Sequence, residues 1–221
     1  MRPALECAQL GDLQENKMKT AYFALSLLVL AGCGGGGGTK EAAFEPGSCD
    51  AVRSVLAAGQ ETVPYSSLRG EPKMQGERVL NDTWIAKSPA FGEHCEIGVI
   101  SGMMGTDISL YRCELFTALR SSDRETTEAE ARALMSDVSD TIKGCLGDEW
   151  VAEETTEHDD FEVYQNFVFE PVSGRPGADT FDFTVDPIFL KMSYTPYMRG
   201  RSGPSGWIVE LQFQEQRAVA E

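Results

Sequence analysis

Residues 95–113 read CEIGVISGMMGTDISLYRC, and this stretch is the strongest local signal of secondary structure in the chain. Apolar and polar residues alternate on both sides of an MMG segment, which predicts a hairpin whose three-residue loop places its glycine in the left-handed conformation. Centring the hairpin on Met104 pairs Cys95 with Cys113, Glu96 with Arg112, Ile97 with Tyr111, Gly98 with Leu110, Val99 with Ser109 and Ile100 with Ile108. One register thus aligns a disulfide, a mostly apolar face and a charge pair.

Two helices are predicted on either side of this hairpin. Ser48 caps the first, which ends at Gly59 and carries Cys49, Val52, Val55 and Leu56 on one face. The second is expected from Glu128 to Lys143, opened by a capping box of residues 127–130 and broken at Gly144. Its apolar face comprises Ala131, Leu134, Met135, Val138 and Ile142.

The remaining strands follow from period-2 alternation. A stretch rich in turn signals reaches about Asn81, and a short strand through Trp84 follows. Four more strands are expected around Phe161–Phe169, Phe181–Val185, Ile188–Tyr194 and Trp207–Phe213.

An apolar and a polar face on each strand indicate an antiparallel sheet covered by helices on one side. The predicted fold class is therefore α+β, with two helices packed on antiparallel sheet and two disulfides. Each half contains a helix followed by about three strands, which suggests a pseudo-repeat. In topology this resembles secretion-chaperone-like and other two-layer α+β folds.

The N-terminal region carries a different signal. Residues 18–33 contain a lysine, an apolar run and the tetrapeptide Leu30-Ala31-Gly32-Cys33, which five glycines follow. The apolar run is too short to span a bilayer, which takes about 20 residues, and it fits the core of an export signal. The segment resembles the signal peptide and lipobox of bacterial lipoproteins.

That resemblance implies a diacylglycerol on the Cys33 thiol, removal of the preceding peptide and acylation, for example with palmitate, of the new amino terminus. Residues 1–32 are then a signal region, and its acidic extension before Met18 indicates that translation starts at Met18. A chance tetrapeptide that ends an ordinary cleavable signal is the alternative. Gly34, rather than aspartate, after the lipidated cysteine favours the outer membrane, facing the periplasm.

Residues 33–47 form the lipidated cysteine and a glycine-rich linker, and residues 48–221 form the globular domain. Removing the signal leaves about 189 residues, enough for one domain with a sizeable core or two small ones. The net charge of −16 argues against nucleic acid and anionic lipid surfaces as partners. It permits a cationic partner, although solubility alone also explains it.

Cysteine usage supports an oxidising compartment. With Cys7 and Cys33 set aside, Cys49, Cys95, Cys113 and Cys145 remain, an even number in an exported chain. Four cysteines allow three pairings, and the hairpin favours Cys95 with Cys113. Cys49 is then left to pair with Cys145, which lies just past the second predicted helix. A zinc site is the alternative, but the spacings match no zinc pattern.

Catalytic and metal motifs are weak. A metal site would join His158, Asp159 and Asp160 with Glu93 or His94, but no histidines have helical i, i+4 spacing and no loop pattern would preorganise these ligands, so a solvated acidic loop is favoured. No Gly-x-Ser-x-Gly elbow is present, and no thiol is left for nucleophilic catalysis. The basic, glycine-rich loop of residues 198–206 is either an anion clamp or an ordinary hairpin loop. We therefore expect no cofactor and no metal.

These observations predict a lipid-anchored envelope protein that acts as a binding or accessory module, without enzymatic activity and with a protein partner. An exposed apolar patch or an unblunted sheet edge would mark the partner site. The first alternative is an inhibitor or immunity lipoprotein that neutralises a cationic enzyme, which the net charge supports. The second is a carboxylate-based hydrolase, which would show a cleft holding two carboxylates with perturbed pKa values.

Overall fold

A computed structural model describes residues 44–119, 123–158, 163–175, 180–195 and 206–219. The predicted signal region, Cys33 and most of the glycine-rich linker lie outside these residues. The elements are α1 (Cys49–Gly59), β1 (Arg69–Gln75), β2 (Arg78–Ala86), β3 (His94–Met103), β4 (Thr106–Leu119), α2 (Arg124–Leu146), β5 (Trp150–His158), β6 (Val163–Pro171), β7 (Ile188–Thr195) and β8 (Gly206–Ala218). The α+β fold class is confirmed.

The eight strands of the described residues form one antiparallel sheet in the order β1-β2-β3-β4-β8-β7-β6-β5. Each helix precedes four consecutive strands rather than about three. The last strands of the two halves, β4 and β8, pair along 13 Cα partners at the centre of the sheet. This arrangement leaves β1 and β5 as the two edges.

The hairpin of β3 and β4 has the predicted register at all six pairs. Its loop is different, because Met103 pairs with Thr106 and only Met104 and Gly105 form the turn. Both turn residues have positive φ, 50° and 80°, as in the two-residue turns whose twist matches that of the strands. A register shift between Ile100 and Met103 absorbs the one extra residue of β3.

The helix α1 begins and ends where predicted, and the Ser48 hydroxyl accepts the Ala51 N–H at 3.1 Å. The predicted bounds of α2 were wrong at both ends. Asp123 caps it, because its carboxylate accepts the Glu125 N–H, and the predicted capping residue Thr127 instead donates its hydroxyl to the Asp123 carbonyl. At the other end the chain turns at a glycine three residues beyond Gly144, so Cys145 lies within the helix.

Both sheet edges escaped prediction, and one predicted strand is absent. β1 contains Gly70 and Pro72, which are turn signals, and β5 is exposed from Val151 to Thr156, so neither strand alternates in polarity. Residues 181–185 alternate but form no strand. A polar side chain of β8, that of Gln216, instead bonds to the backbone of Phe183 and Val185 and holds this segment at the end of the sheet.

The core lies on the face of the sheet that contacts the helices. α1 contacts α2 and β8, and α2 contacts β5, β7 and β8. The largest fully buried side chains include Trp207, Tyr111, Phe169, Phe213 and Met135. On the opposite face Lys191 pairs with Glu210 at 2.9 Å. Glu96 there contacts both Lys73 and Arg112, which fulfils the predicted pair of Glu96 and Arg112.

Candidate binding sites

The four cysteines lie in the two predicted pairs. Cys49 and Cys145 are at disulfide-bonding distance and join the first turn of α1 to the last turn of α2; we name this pair the helix disulfide. Cys95 and Cys113 are at disulfide-bonding distance across β3 and β4; we name this pair the hairpin disulfide. Neither pair leaves a thiol for catalysis.

Two of the proposed metal ligands, His94 and His158, lie on strands that are far apart in the sheet. His94 begins β3 in one half of the sheet, and His158 ends β5 at the far edge of the other half. Asp159 and Asp160 lie outside the described residues, as does the loop of residues 198–206 except for Gly206. Within the described ranges, no group of three histidine, cysteine or acidic side chains is arranged to hold a metal ion.

A cavity of about 320 Å³ opens between the end of α1, the end of β8 and the connection from β6 to β7. We name it the tyrosine cavity. It is lined by Leu56, Gly59, Gln60, Tyr65, Trp150, Pro171, Arg175, Phe181, Thr184, Pro187, Gln214, Glu215 and Gln216. Its volume is at the small end of the roughly 300–1,000 Å³ typical of ligand cavities.

Hydrogen bonds from several elements fix the walls of the tyrosine cavity. The guanidinium of Arg217 donates to the carbonyls of Gly59 at 3.1 Å and Thr62 at 2.8 Å, and thereby ties β8 to the end of α1. On the opposite wall, Arg175 donates to the Val185 carbonyl. The cavity is therefore bounded by residues that backbone contacts hold in place.

Tyr65 is the most unusual residue of this cavity. The residue is only 2% exposed; no hydrogen bond among the described residues uses its hydroxyl, and this oxygen is not among the fully buried atoms left without a partner. Its backbone is left-handed, with φ 59° and ψ 16°, which is rare for a bulky side chain. The Tyr65 N–H donates to the Ala58 carbonyl at 2.8 Å and the Leu68 N–H donates to the Tyr65 carbonyl at 3.1 Å, so this conformation is held from both sides.

Glu215 carries the acidic group of the tyrosine cavity. It accepts from the Gln60 amide at 3.1 Å and lies 3.7 Å from the Arg217 guanidinium. Burial raises the pKa of Glu215, and the nearby charges of Arg175 and Arg217 only partly offset that effect. Burial also raises the pKa of the Tyr65 phenol, and the Glu215 charge adds to this shift. The charged groups in the lining are therefore one carboxyl, that of Glu215, and one guanidinium, that of Arg175.

Sequence reasoning missed the tyrosine cavity, although one signal was present. The core-facing positions of β8 are Trp207, Val209, Leu211 and Phe213, and the next residue of that parity is Glu215. A charged residue at an inward position indicates a special environment. Tyr65 and Arg175 lie in turn-rich stretches and carried no such signal.

The second candidate site is the edge strand β5. It pairs with β6 at every residue from Trp150 opposite Pro171 to His158 opposite Val163, without a register shift. It contains neither glycine nor proline. The other edge, β1, has both residues and two register shifts. Irregularities of that kind protect an edge from pairing with another chain, and β5 lacks them.

An acidic depression lies beside β5. It measures about 230 Å³ and is lined by Val151, Glu153, Thr155, Val168, Glu170 and Asp186. Three of these six side chains are carboxylic acids, and none is basic. Burial raises the pKa of Asp186, while the charge of Arg175 opposes the shift. A cationic group in this depression would meet several carboxylates at once.

The ion pairs on the open face are structural in character. Burial opposes ionisation of Glu96, but hydrogen bonds and charges from Lys73 and Arg112 outweigh it and lower the pKa of that carboxyl. All three side chains line a broader depression that also includes His94 and Glu114. Since Lys73 and Arg112 already occupy Glu96, this carboxylate is a poorer partner for an added cation than Glu153, which makes no ion pair within the described part of the chain.

None of the described helices is both long and apolar enough to cross a bilayer. Comparison with protein-family models, with curated proteins and with solved structures found no match to this chain.

Proposed function

We propose that this protein is a lipoprotein of the bacterial envelope, held by lipid on Cys33 to the outer membrane and facing the periplasm. We further propose that it acts as a binding module for a partner protein with a basic, extended segment. The observation that carries the binding proposal is the regular edge strand β5, which pairs on one side only with another described strand and lies beside an acidic depression. The lipid anchor rests on the resemblance of residues 18–33 to lipoprotein signals.

Strand addition is the recognition mode that fits β5. An edge strand presents backbone N–H and C=O groups that point away from the sheet, and an extended peptide can pair with them. β5 offers nine residues in unbroken register, longer than the usual strand of about 5–6 residues. Affinity would come from the backbone ladder, and specificity from alternate side chains that reach neighbouring depressions.

Charge identifies the kind of strand that β5 accepts. Glu153 lines the acidic depression. Glu154, which points to the opposite face of the sheet, accepts a hydrogen bond from the Gln165 amide at 2.6 Å. An added strand would lie about 4.8 Å from β5, which puts its lysine or arginine side chains within reach of Glu153. The net charge of −16 would also accelerate the encounter with a basic partner.

A second copy of this chain is a poorer occupant of the same edge. Pairing two β5 strands would place several glutamates of like charge in adjacent strands, and like charges opposite one another destabilise a sheet. The acidic edge therefore favours a different, basic chain. This chemistry suits an accessory module and also the alternative of an inhibitor or immunity lipoprotein that neutralises a cationic enzyme.

The proposal also covers the finer architecture. We take the two helix-plus-four-strand halves as a structural repeat, with α1 and α2 packed antiparallel. Support comes from the matching element order, from the central pairing of β4 with β8, and from the helix disulfide, which links the start of α1 to the end of α2.

The hydrolase alternative has less support. In its favour, burial raises the pKa values of two carboxyls, Asp186 and Glu215, and the positive charge of Arg175 acts on both of them. However, Glu215 lines the tyrosine cavity, whereas Asp186 lines the acidic depression. A pair of acid and base groups must flank one bond of one substrate, so this separation favours binding over hydrolysis.

Calorimetric titration with synthetic peptides tests the strand-addition proposal. A peptide of alternating lysine and valine should bind, and its affinity should fall as salt is added. A peptide of alternating glutamate and valine is the matched control and should not bind. Equal affinity for both peptides, or no affinity for either at low salt, would contradict the proposal.

A charge reversal locates the site. Glu153→Lys should lower the affinity for the lysine–valine peptide about tenfold, which corresponds to about 1.4 kcal/mol of binding free energy. Glu130→Lys is the matched control, because Glu130 is exposed on α2 and its reversal changes the net charge equally. The same loss in both variants would show that only overall charge attracts the peptide, and would refute the role of β5.

A further inference from the structure

We propose that the tyrosine cavity binds a small, uncharged, hydroxylated ring of the sugar class. This site is separate from β5 and does not depend on the binding of a basic strand.

The hydroxyl of Tyr65 supplies a hydrogen-bonding group to the tyrosine cavity. Because the Tyr65 oxygen is not among the fully buried polar atoms that lack a partner, it can reach the water or ligand that fills the cavity. Tyr65 is 2% exposed and lines the cavity, and among the described residues its hydroxyl has no partner. The adjacent core residue Tyr111 is different, because its hydroxyl accepts from the Ala90 N–H and donates to the Ser88 carbonyl. Tyr65 therefore offers a hydrogen bond to something that enters the cavity.

The backbone of Tyr65 agrees with such a role. Its left-handed conformation is rare for an aromatic residue, and residues held in sparse backbone regions concentrate at ligand sites. The carbonyl of Ala58 at the end of α1 fixes the Tyr65 N–H, so the hydroxyl is presented from a rigid element. A preorganised donor loses little entropy when a ligand binds.

Charge balance indicates a neutral ligand. Glu215 and Arg175 line the same cavity, and Arg217 lies 3.7 Å from Glu215 outside the lining. Within the lining, a free anion would be repelled by Glu215 and a free cation by Arg175, because Arg217 is already engaged by Glu215 and two backbone carbonyls. An uncharged ligand meets neither repulsion. Its hydroxyls can bond to the Glu215 carboxyl and to the donors of Arg175 that the Val185 carbonyl leaves unused.

The cavity walls give the shape of the ligand. Trp150, Phe181, Pro187 and Leu56 supply flat or apolar surface, while Gln60 and Glu215 supply planar polar groups. A hydroxylated ring presents C–H groups on its faces and O–H groups around its rim, so it can contact both kinds of wall. The volume of about 320 Å³ favours a single small molecule over a chain of linked units.

Nuclear magnetic resonance on the purified protein tests this proposal. The probes are glucose, galactose, N-acetylglucosamine and myo-inositol at millimolar concentration, with glucosamine as a cationic and glucuronate as an anionic comparator of equal size. At least one neutral probe should shift the indole N–H signal of Trp150. The signals of Trp84 and Trp207, which do not line the cavity, should stay unchanged. The charged comparators should bind more weakly than the neutral ring.

Two tyrosine variants separate a binding role from a structural one. Tyr65→Phe removes only the unpaired hydroxyl and should weaken the neutral probe on the order of fivefold, as expected for one lost hydrogen bond. Tyr111→Phe removes a hydroxyl that serves the fold and should leave the affinity of the probe unchanged.

Three results would overturn the proposal. The first is that no neutral probe shifts the Trp150 signal, so that the cavity holds water only. The second is that a charged comparator binds more tightly than every neutral ring. The third is that Tyr65→Phe binds the probe as well as the unaltered protein does.

Discussion

Tyr65 and Tyr111, two of the buried tyrosines of the core, should respond differently to loss of the hydroxyl. Tyr111 is fully buried, and its hydroxyl accepts the Ala90 N–H at 2.8 Å and donates to the Ser88 carbonyl at 2.6 Å. Tyr111→Phe leaves a buried N–H and a carbonyl without their partner. A buried group that loses its partner costs about 1–3 kcal/mol, so we expect the free energy of unfolding to fall by about 2 kcal/mol.

Tyr65→Phe is the matched change 6.1 Å away, measured between ring centroids. No hydrogen bond to a described residue is lost, so the free energy of unfolding should change by less than about 0.5 kcal/mol or rise slightly. Urea denaturation measures both variants. With an m-value of about 2 kcal/mol/M, Tyr111→Phe should lower the midpoint by about 1 M, and Tyr65→Phe should leave it in place. Equal losses in the two variants would show that the Tyr65 hydroxyl stabilises the fold as the Tyr111 hydroxyl does, and that it is not free for a ligand.

Three further predictions concern the fold and its pH dependence. Gly144→Ala should stabilise α2 by about 0.5–1 kcal/mol, because Gly144 is helical and has open space around it. Gly147→Ala should cost at least about 1 kcal/mol of stability, because Gly147 has a φ of 66°. Thermal denaturation compares the two variants, and a loss of stability in both would contradict the observed end of α2. Replacing both cysteines of the helix disulfide by alanine should lower the free energy of unfolding by roughly 4.7 kcal/mol, because the disulfide closes a loop of 96 residues. The same change in the hairpin disulfide, which closes a loop of 18 residues, should lower it by roughly 3 kcal/mol. If urea denaturation shows the larger loss for the hairpin disulfide, loop-closure entropy does not explain the stabilisation. The pKa of Glu215 in the folded state is raised above its usual 4.5, so between the two pKa values the folded protein binds more protons than the unfolded chain. Stability should therefore fall as the pH rises through this window. Glu215→Gln should remove that part of the decline, and an unchanged pH profile of stability would argue against the raised pKa.

The hairpin was predictable because its own residues specify its register. Cys95 and Cys113, Glu96 and Arg112, and the alternating apolar positions between them all agree on one alignment. Only the turn differed, since sequence symmetry about Met104 cannot show where a bulge will absorb residues. The start of α1 was equally local, because Ser48 and the apolar positions that follow it lie within two turns.

The edges and the cavity were not predictable for physical reasons. β5 has no buried side chain from Val151 to Thr156, and a strand without a buried face carries no alternation. The tyrosine cavity joins the end of α1, the end of β8 and the β6–β7 connection, which are far apart in sequence. Only Glu215, at an inward position of β8, carried a local signal of this site.

Hydrogen exchange along β5 tests whether an extended basic peptide pairs with this edge of the sheet. When the lysine–valine peptide is added at low salt, the outward-facing amides of β5 should exchange more slowly, because they become paired to the added strand. The amides of β1, the irregular edge, serve as the internal control and should exchange as before. Binding of the peptide without slower exchange in β5, or with equal slowing in β1, would contradict the account.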